Sequence, residues 1–204
     1  MSALAIIVLL ATSIIAVLFV KELQKKGFSV QSDPKNRTNI LHEATKNVED
    51  NYARAIVRAQ NAYEANRLHD AQMALESALA LYPNALEALA RYAYILTLQG
   101  ELESAKSIYL KALALHSDSA SLHSAYASLL SAMGEEAKAK EHYVRAIELD
   151  PKSATTYFNF GNYLAKLEEY DAAKESYERA LLLEKNFTQA KEALEALLHR
   201  TKGD

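Results

Sequence analysis

A segment that recurs every 34 residues constrains this chain more than any other feature. Residues 71–83 read AQMALESALALYP, and the same pattern returns as AKSIYLKALALHS at 105–117, AKEHYVRAIELDP at 139–151 and AKESYERALLLEK at 173–185. A fixed period of this length is typical of stacked repeats, in which each unit buries its apolar face against the next. The alternative, an ordinary helical bundle with a chance period, would require several independent columns to agree in phase by accident.

Each recurring segment has the pattern of an amphipathic helix. In the first copy the apolar residues are spaced i, i+4, i+7 and i+8, at Ala71, Leu75, Ala78 and Leu79. This spacing puts them on one stripe of a helix. Pro83 and Pro151 follow at the same phase, and proline cannot continue a helix. The pattern therefore predicts a helix that ends before residue 83 and before its equivalents.

A second helix is predicted upstream of each of these segments. Its columns include a small one, formed by Ala59, Ala93, Ala127 and Gly161. The residues between the two helices are Asn66, Gly100, Gly134 and Glu168. Glycine and asparagine suit the left-handed residue that ends many helices. Glu168 departs from this pattern, so we expect a slightly different turn in the last repeat.

This arrangement resembles the tetratricopeptide repeat family. The last full repeat carries the motif best, at Tyr157, Phe160, Gly161, Leu164, Tyr170, Ala173, Tyr177 and Ala180. The resemblance implies an all-α solenoid of helix–turn–helix repeats. Its predicted repeats span 52–85, 86–119, 120–153 and 154–187, followed by a capping helix at 188–200 and a tail at 201–204.

The first repeat differs from the others at its amino-terminal end. Apolar residues recur every three or four positions upstream of it, at Leu41, Ala44, Val48, Tyr52 and Ala55, with no helix breaker between them. We predict that its first helix extends back to about Asn39, a residue suited to capping a helix. The repeat domain is then expected to cover residues 39–200.

The first twenty residues have a different character. Residues 3–20 read ALAIIVLLATSIIAVLFV and contain no charge. As a helix they would span about 27 Å, close to the thickness of a bilayer's hydrocarbon core. A cleavable signal peptide would need a positive leading region and a small-residue cleavage site, and a buried soluble helix would need a polar face. The pattern therefore favours a transmembrane anchor at 1–20 that contacts lipid through residues 3–20.

Basic residues set the expected orientation of this anchor. Lys21, Lys25 and Lys26 follow the apolar run, and no basic residue precedes it. Because basic flanks prefer the cytoplasmic side, we expect a single-pass protein with its amino terminus outside and its repeat domain in the cytoplasm. Residues 21–38, which contain Gly27 and Pro34, are predicted to form an irregular juxtamembrane stalk.

No sequence motif indicates catalysis. The chain has no cysteine, and it lacks the glycine-rich phosphate loop, the G-x-S-x-G elbow and the H-E-x-x-H motif. None of its six histidines lies four residues from another. We therefore predict neither an enzyme nor a metal, cofactor or small-molecule substrate. With a net charge of −3 and a pI near 6.1, the chain is not expected to bind nucleic acid.

The family resemblance implies that the first helices of the repeats line a concave groove. The residues expected there are Ile56, Gln60, Tyr63, Ala90, Tyr94, Leu98, Ser124, Ser128, Phe158 and Asn162. They are mostly neutral, with small hydroxyls in the middle and larger apolar groups at the flanks. We predict that this groove binds a peptide or an amphipathic helix of a partner protein.

Chaperone-binding members of this family hold a carboxylate with basic and amide residues at five groove positions. The matching residues here are Ile56, Gln60, Arg91, Ser121 and Ala125. Arg91 is the single basic residue among them, so no carboxylate clamp is predicted.

Together, these features indicate a membrane-anchored adaptor or scaffold that helps to assemble or organise a membrane complex. Two alternatives share the same architecture. One is a targeting receptor that captures precursor proteins at a membrane, and the other is an accessory subunit of a membrane enzyme complex.

Overall fold

The computed structural model describes residues 34–202. The predicted anchor at 1–20 lies outside the described residues, as do residues 21–33 of the predicted stalk. Between residues 34 and 202, no helix combines the length and the apolar character needed to cross a bilayer.

The described residues form helices joined by short turns, without a β-strand. In chain order the helices are α1 (Pro34–Glu64), α2 (Leu68–Leu81), α3 (Leu86–Leu98), α4 (Leu102–Leu115), α5 (Ala120–Ala132), α6 (Glu136–Leu149), α7 (Ala154–Lys166), α8 (Tyr170–Leu183) and α9 (Thr188–Lys202). The predicted all-α repeat fold is confirmed in this part of the chain.

The chain divides into two units between Asp50 and Asn51. In the described part of the first unit, residues 42–50 belong to α1 and have exposed side chains. The second unit holds the remainder of α1 and all the later helices. The core and the surfaces described below belong to this second unit.

Helix α1 is much longer than its equivalents, as the sequence predicts. It has 31 residues, whereas α3 has 13. It begins at Pro34, so the predicted start at Asn39 is wrong, and residues 34–38 of the predicted stalk are helical. Proline suits this position because its φ is already fixed near the helical value and it lacks the N–H that a first turn leaves unpaired.

The recurring columns form the core of the second unit. Ala71, Ala105, Ala139 and Ala173 are all fully buried, and so is the column formed by Ala78, Ala112, Ala146 and Ala180. The tyrosine column, formed by Tyr109, Tyr143 and Tyr177, is buried as well. Small residues let neighbouring helices approach closely, and the tyrosine rings fill the space that remains between them.

The turns within the helix pairs share one geometry. The second residue after the first helix has a positive φ in each turn: 55° at Asn66, 81° at Gly100, 77° at Gly134 and 63° at Glu168. The hydrogen bonds match too: the N–H of Glu169 donates to the carbonyl of Leu164 at 3.0 Å, as Glu135 does to Leu130 at 2.9 Å. The last turn differs in one respect, because the N–H of Tyr170 also donates to the carbonyl of Glu168 at 2.9 Å, and the other three turns show no equivalent bond. The predicted slight difference is therefore confirmed, although the flanking helices impose the same left-handed conformation on Glu168, a residue that does not prefer it.

Candidate partner-binding face

The first helices of the repeats place side chains beside one another on one face. We call this surface the first-helix face, and it is formed by α1 from residue 51 onward together with α3, α5 and α7. All ten residues predicted to line the groove belong to these helices. The two ends of the face differ in chemistry.

Two tyrosines dominate the end formed by α1 and α3. The ring centroids of Tyr63 and Tyr94 lie 5.8 Å apart in an edge-to-face arrangement, and their hydroxyl oxygens are 3.3 Å apart. Tyr63 is 38% exposed, Tyr94 43% and the nearby Leu98 44%. The hydrogen bond with Tyr63 and partial burial raise the pKa of Tyr94 to about 12, so the phenol of Tyr94 is neutral at physiological pH. This end therefore presents uncharged aromatic and aliphatic surface to solvent.

A small cavity opens beside these tyrosines. It has a volume of about 160 Å³ and is lined by Ala59, Gln60, Tyr63, Leu75, Arg91, Tyr94 and Ile95. A cavity of about 150 Å³ with an apolar lining is large enough for benzene. The space therefore matches one aromatic or branched aliphatic side chain. The predicted groove residues Ile56 and Ala90 are half-buried and pack against the core near this end.

The charged group at this cavity is already neutralised within the chain. The guanidinium of Arg91 donates to the carboxylate of Glu87 at 3.1 Å and also to the side-chain oxygen of Gln60. The amide nitrogen of Gln60 in turn donates to Glu64 at 2.6 Å. This chain of contacts holds Arg91 at the edge of the cavity with its charge paired.

The end formed by α5 and α7 is polar. The hydroxyl of Ser128 donates to the carbonyl of Ser124 at 3.2 Å and lies 2.8 Å from the hydroxyl of Tyr143. The side-chain oxygen of Asn162 accepts a hydrogen bond from the hydroxyl of Tyr177 at 2.8 Å. Ser128 and Asn162 are both exposed.

Two predicted groove residues serve the packing of this end. Ser124 is only 3% exposed, and its hydroxyl accepts a hydrogen bond from Asn159 at 3.3 Å, so its prediction as a contact residue is wrong. Helix α7 covers it. Phe158 is half-buried, with its ring centroid 5.1 Å from that of Phe187 and 6.1 Å from that of Tyr177. Substitution of Phe158 would therefore disturb the fold as well as the surface.

Two further polar groups at this end are not among the ten residues predicted to line the groove. Lys166 donates to the side-chain and main-chain oxygens of Ser131 and to Glu136, the last at 2.8 Å. Asn159 links α7 to α5. Both border a cavity of about 290 Å³ that also touches Ser128 and Asn162. The sequence could have predicted Asn159 as a residue of this face, because it occupies the same position in its repeat as Arg91 does two repeats earlier.

The described residues offer no metal site: among residues 34–202, no group of three or more histidine or acidic side chains is arranged to hold an ion. The phenols that pack in the core are also poor candidates for acid–base chemistry. Burial raises the pKa of Tyr143 to about 12, and it also raises the pKa of Tyr177.

Three family models described as tetratricopeptide repeat match residues 62–129, 120–153 and 142–175. No curated protein sequence matches the chain. Solved structures do resemble it. A thermophilic tetratricopeptide repeat protein of Thermus thermophilus, TTC0263, aligns with a TM-score of 0.69 at 20% identity and covers 74% of this chain and 82% of its own.

Two further structures extend the comparison. PilF of Pseudomonas aeruginosa aligns with a TM-score of 0.64 at 22% identity, over 77% of this chain and 72% of its own. The first repeat domain of Spaghetti (RPAP3), solved with the HSP90 peptide SRMEEVD, aligns with a TM-score of 0.52 at 23% identity, over 57% of this chain and 93% of its own. At these identities the likeness concerns the fold.

Proposed function

Because residues 62–175 of this chain belong to the tetratricopeptide repeat family, we propose that the protein is a non-enzymatic adaptor whose first-helix face binds a segment of a partner protein. One observation supports this most strongly. The exposed aromatic side chains of Tyr63 and Tyr94 border a cavity the size of one side chain, and Leu98, on the same helix as Tyr94, is exposed as well. Buried aromatic contacts of this kind contribute most of the energy at protein interfaces.

We further propose that the bound segment is uncharged where it meets α1 and α3. The cationic group there, Arg91, is already paired with Glu87, and the neighbouring phenol of Tyr94 is neutral. An acidic segment would have to compete with an existing ion pair, whereas an apolar side chain would fill the cavity without breaking one. A structural relative holds the acidic peptide SRMEEVD, so the partner expected here differs in charge from that ligand.

The polar end of the face gives this proposal a direction. Ser128 and Asn162 offer hydroxyl and amide groups that can hydrogen-bond to a peptide main chain. We expect a partner segment whose apolar side chain lies between α1 and α3, and whose polar part extends across α5 and α7. Because few charges are involved, its affinity should change little with salt.

Membrane attachment is the second part of the proposal. The uncharged run at residues 3–20 has the length of a bilayer span, and the lysines that follow it favour the cytoplasmic side. An adaptor held in this way would present its binding face beside a membrane complex. Its function would be to assemble or organise that complex.

Site-specific photo-crosslinking of the full-length chain in its native membranes tests the binding face. We expect Tyr94→benzoylphenylalanine to form discrete adducts that a second substitution, Leu98→Arg, abolishes. The matched control is benzoylphenylalanine at Leu110, an exposed apolar residue of α4. Identical adducts at positions 94 and 110, or adducts at 94 that persist with Leu98→Arg, would refute the binding face.

Protease protection tests the topology separately. In sealed, right-side-out vesicles, a cytoplasmic repeat domain should resist added protease until detergent is supplied. Digestion before detergent is added would reverse the proposed orientation. Release of the intact chain by alkaline carbonate would rule out the anchor.

A further inference from the structure

One buried position of the second helix distinguishes the first repeat from the three that follow it. Leu75, Tyr109, Tyr143 and Tyr177 occupy this position at intervals of 34 residues. All four side chains are buried. The first repeat therefore has a leucine where each of the others has a tyrosine.

In the last two repeats, the tyrosine at this position reaches the first-helix face. The hydroxyl of Tyr143 lies 2.8 Å from that of Ser128, and the hydroxyl of Tyr177 donates to the side-chain oxygen of Asn162 at 2.8 Å. Ser128 and Asn162 occupy one position of the first helix, and the equivalent residue of the first repeat is Gln60. The tyrosine ring thus fills the space between the second helix and this position of the first helix.

Leucine is too short to fill this space in the first repeat. The cavity of about 160 Å³ beside Tyr63 and Tyr94 is lined by both Leu75 and Gln60, so it lies where a tyrosine ring would extend from position 75. Its surface is almost entirely apolar. A space of this volume accommodates a benzene ring, which is the part that leucine lacks.

The equivalent space two repeats later has a different chemistry. That cavity, of about 290 Å³, is bordered by Tyr143, Ser131 and Asn162, which stand at the positions of Leu75 and of the two surface tyrosines of the first repeat. It offers hydroxyl and amide groups, whereas the cavity of the first repeat offers aliphatic carbon and aromatic rings. The two cavities therefore suit different ligands.

We propose that the cavity of the first repeat binds an aromatic side chain of the partner protein, in the place that a tyrosine ring of this chain has in the later repeats. This inference rests on the proposed function, and it narrows the partner's apolar side chain to phenylalanine or tyrosine. Leu75 determines this specificity, because a tyrosine at position 75 would occupy the cavity itself.

The charges at the cavity favour an aromatic ring over an aliphatic side chain. Arg91 lines the cavity, and its guanidinium is held there by Glu87 and Gln60. Because the face of an aromatic ring carries partial negative charge, a ring beside this guanidinium is attracted to it. Rings also attract one another in edge-to-face contacts, as Tyr63 and Tyr94 already do. A leucine or isoleucine side chain would gain neither interaction.

Phenol is a direct probe of this cavity, and cyclohexanol, a saturated ring of similar size, is its control. In the full-length chain in detergent, phenol should shift the methyl NMR signals of Ile95, which lines the cavity, in a saturable way. The methyl signals of Leu129, a fully buried residue outside the cavity lining, should not move. Cyclohexanol should bind about tenfold more weakly, because a saturated ring lacks the negatively charged face.

Leu75→Tyr fills the cavity from within and should lower the affinity for phenol about tenfold or more. The fold should accept it, because Ala59 is equivalent to Ala93 and Ala127, whose repeats each contain the buried tyrosine. Helical circular dichroism shows whether the variant is folded. Tyr63→Ala, at an exposed residue that borders the cavity, should also weaken phenol binding, and it retains the test if Leu75→Tyr does not fold.

Photo-crosslinking of the full-length chain in native membranes connects the cavity with the partner. Benzoylphenylalanine at Leu98, an exposed residue outside the cavity lining, should form adducts with the partner. Adding Leu75→Tyr should reduce their yield about tenfold or more, because the partner's ring can no longer enter.

The inference would be overturned by the absence of a saturable shift at Ile95, by equal affinities for phenol and cyclohexanol, or by phenol binding that the folded variants leave unchanged. Adducts at position 98 that persist undiminished with Leu75→Tyr would also overturn it, yet they would leave the proposed adaptor function standing. Failure of that function has a different signature: phenol binds, but neither position 94 nor position 98 forms adducts, and both proposals then fall.

Discussion

The ring of Tyr177 lies directly against the main chain of Gly161, and a Cβ added to Gly161 would come within 2.6 Å of Cε1 of that ring. The hydroxyl of Tyr177 is held at 2.8 Å by Asn162, so the ring cannot swing away without losing a hydrogen bond. Helices α7 and α8 are therefore tightly packed at this contact.

Gly161→Ala should therefore destabilise the protein, although alanine is normally the better helix former by about 1 kcal/mol. We expect a loss of about 1–3 kcal/mol, the usual cost of overpacking a core. Urea unfolding measures it. In an Asn162→Ala background the ring is free to shift, so the loss should be smaller there. A gain in stability for Gly161→Ala alone would show that the contact is not tight.

Replacing Glu168 by glycine in its left-handed turn should stabilise the protein. Its φ of 63° is unfavourable for a residue with a side chain, by about 1–2 kcal/mol. Glu168→Gly should raise the free energy of unfolding by up to about 1 kcal/mol, since glycine's greater freedom in the unfolded chain offsets part of the gain. Asn66→Gly is the matched control and should gain less, because asparagine tolerates this conformation. Equal or opposite effects would contradict the strain argument.

The stacked histidines His123 and His142 should make stability depend on pH. Burial, together with the charge of His123, lowers the pKa of His142 from its usual 6.5, while Glu141 opposes the shift. The folded state therefore binds the proton less readily than the unfolded state does. The stabilising contribution is complete above pH 6.5 and is lost as the pH falls through the lowered pKa of the folded protein.

His142→Ile should remove this pH-dependent contribution to stability, because isoleucine does not titrate. Isoleucine should also fit at this position, since Ile108 packs against the core at the equivalent position one repeat earlier. The measurement is the Tm between pH 7.5 and pH 5. Between these pH values the Tm of the wild type should fall more than that of His142→Ile. The Tm of the control His69→Gln, at an exposed residue, should fall as much as that of the wild type. Parallel Tm profiles for the wild type and His142→Ile would contradict the prediction.

Tyrosines of the surface and of the core should respond differently to truncation. Tyr109 is fully buried, so Tyr109→Ala should cost about 3–5 kcal/mol. Tyr94 is 43% exposed and makes its ring contact with Tyr63 at the surface, so Tyr94→Ala should cost about 1 kcal/mol or less. Chemical denaturation compares the two. A large loss at Tyr94 would indicate a packing function and would weaken the case for the binding face.

Much of the fold was predictable because the repeat fixes which side of each helix is buried. The alanine and tyrosine columns correctly predicted the core, and the unbroken apolar pattern before residue 52 correctly predicted that α1 is long. The binding face was only partly predictable. Position in the repeat says which way a side chain points, but it does not say that α7 covers Ser124 or that Arg91 is paired.

The sequence alone determined the helix pairs, the buried side of each helix and the residues that separate the helices. This is possible because buried positions recur periodically and carry small or apolar residue types. The tertiary structure decided what depends on the distance between helices. It imposed a left-handed turn on Glu168, closed Tyr177 over Gly161 and left a cavity open where the first repeat has Leu75 and the others have a tyrosine. These outcomes could not be read from one helix, because each depends on what a neighbouring helix brings within contact distance.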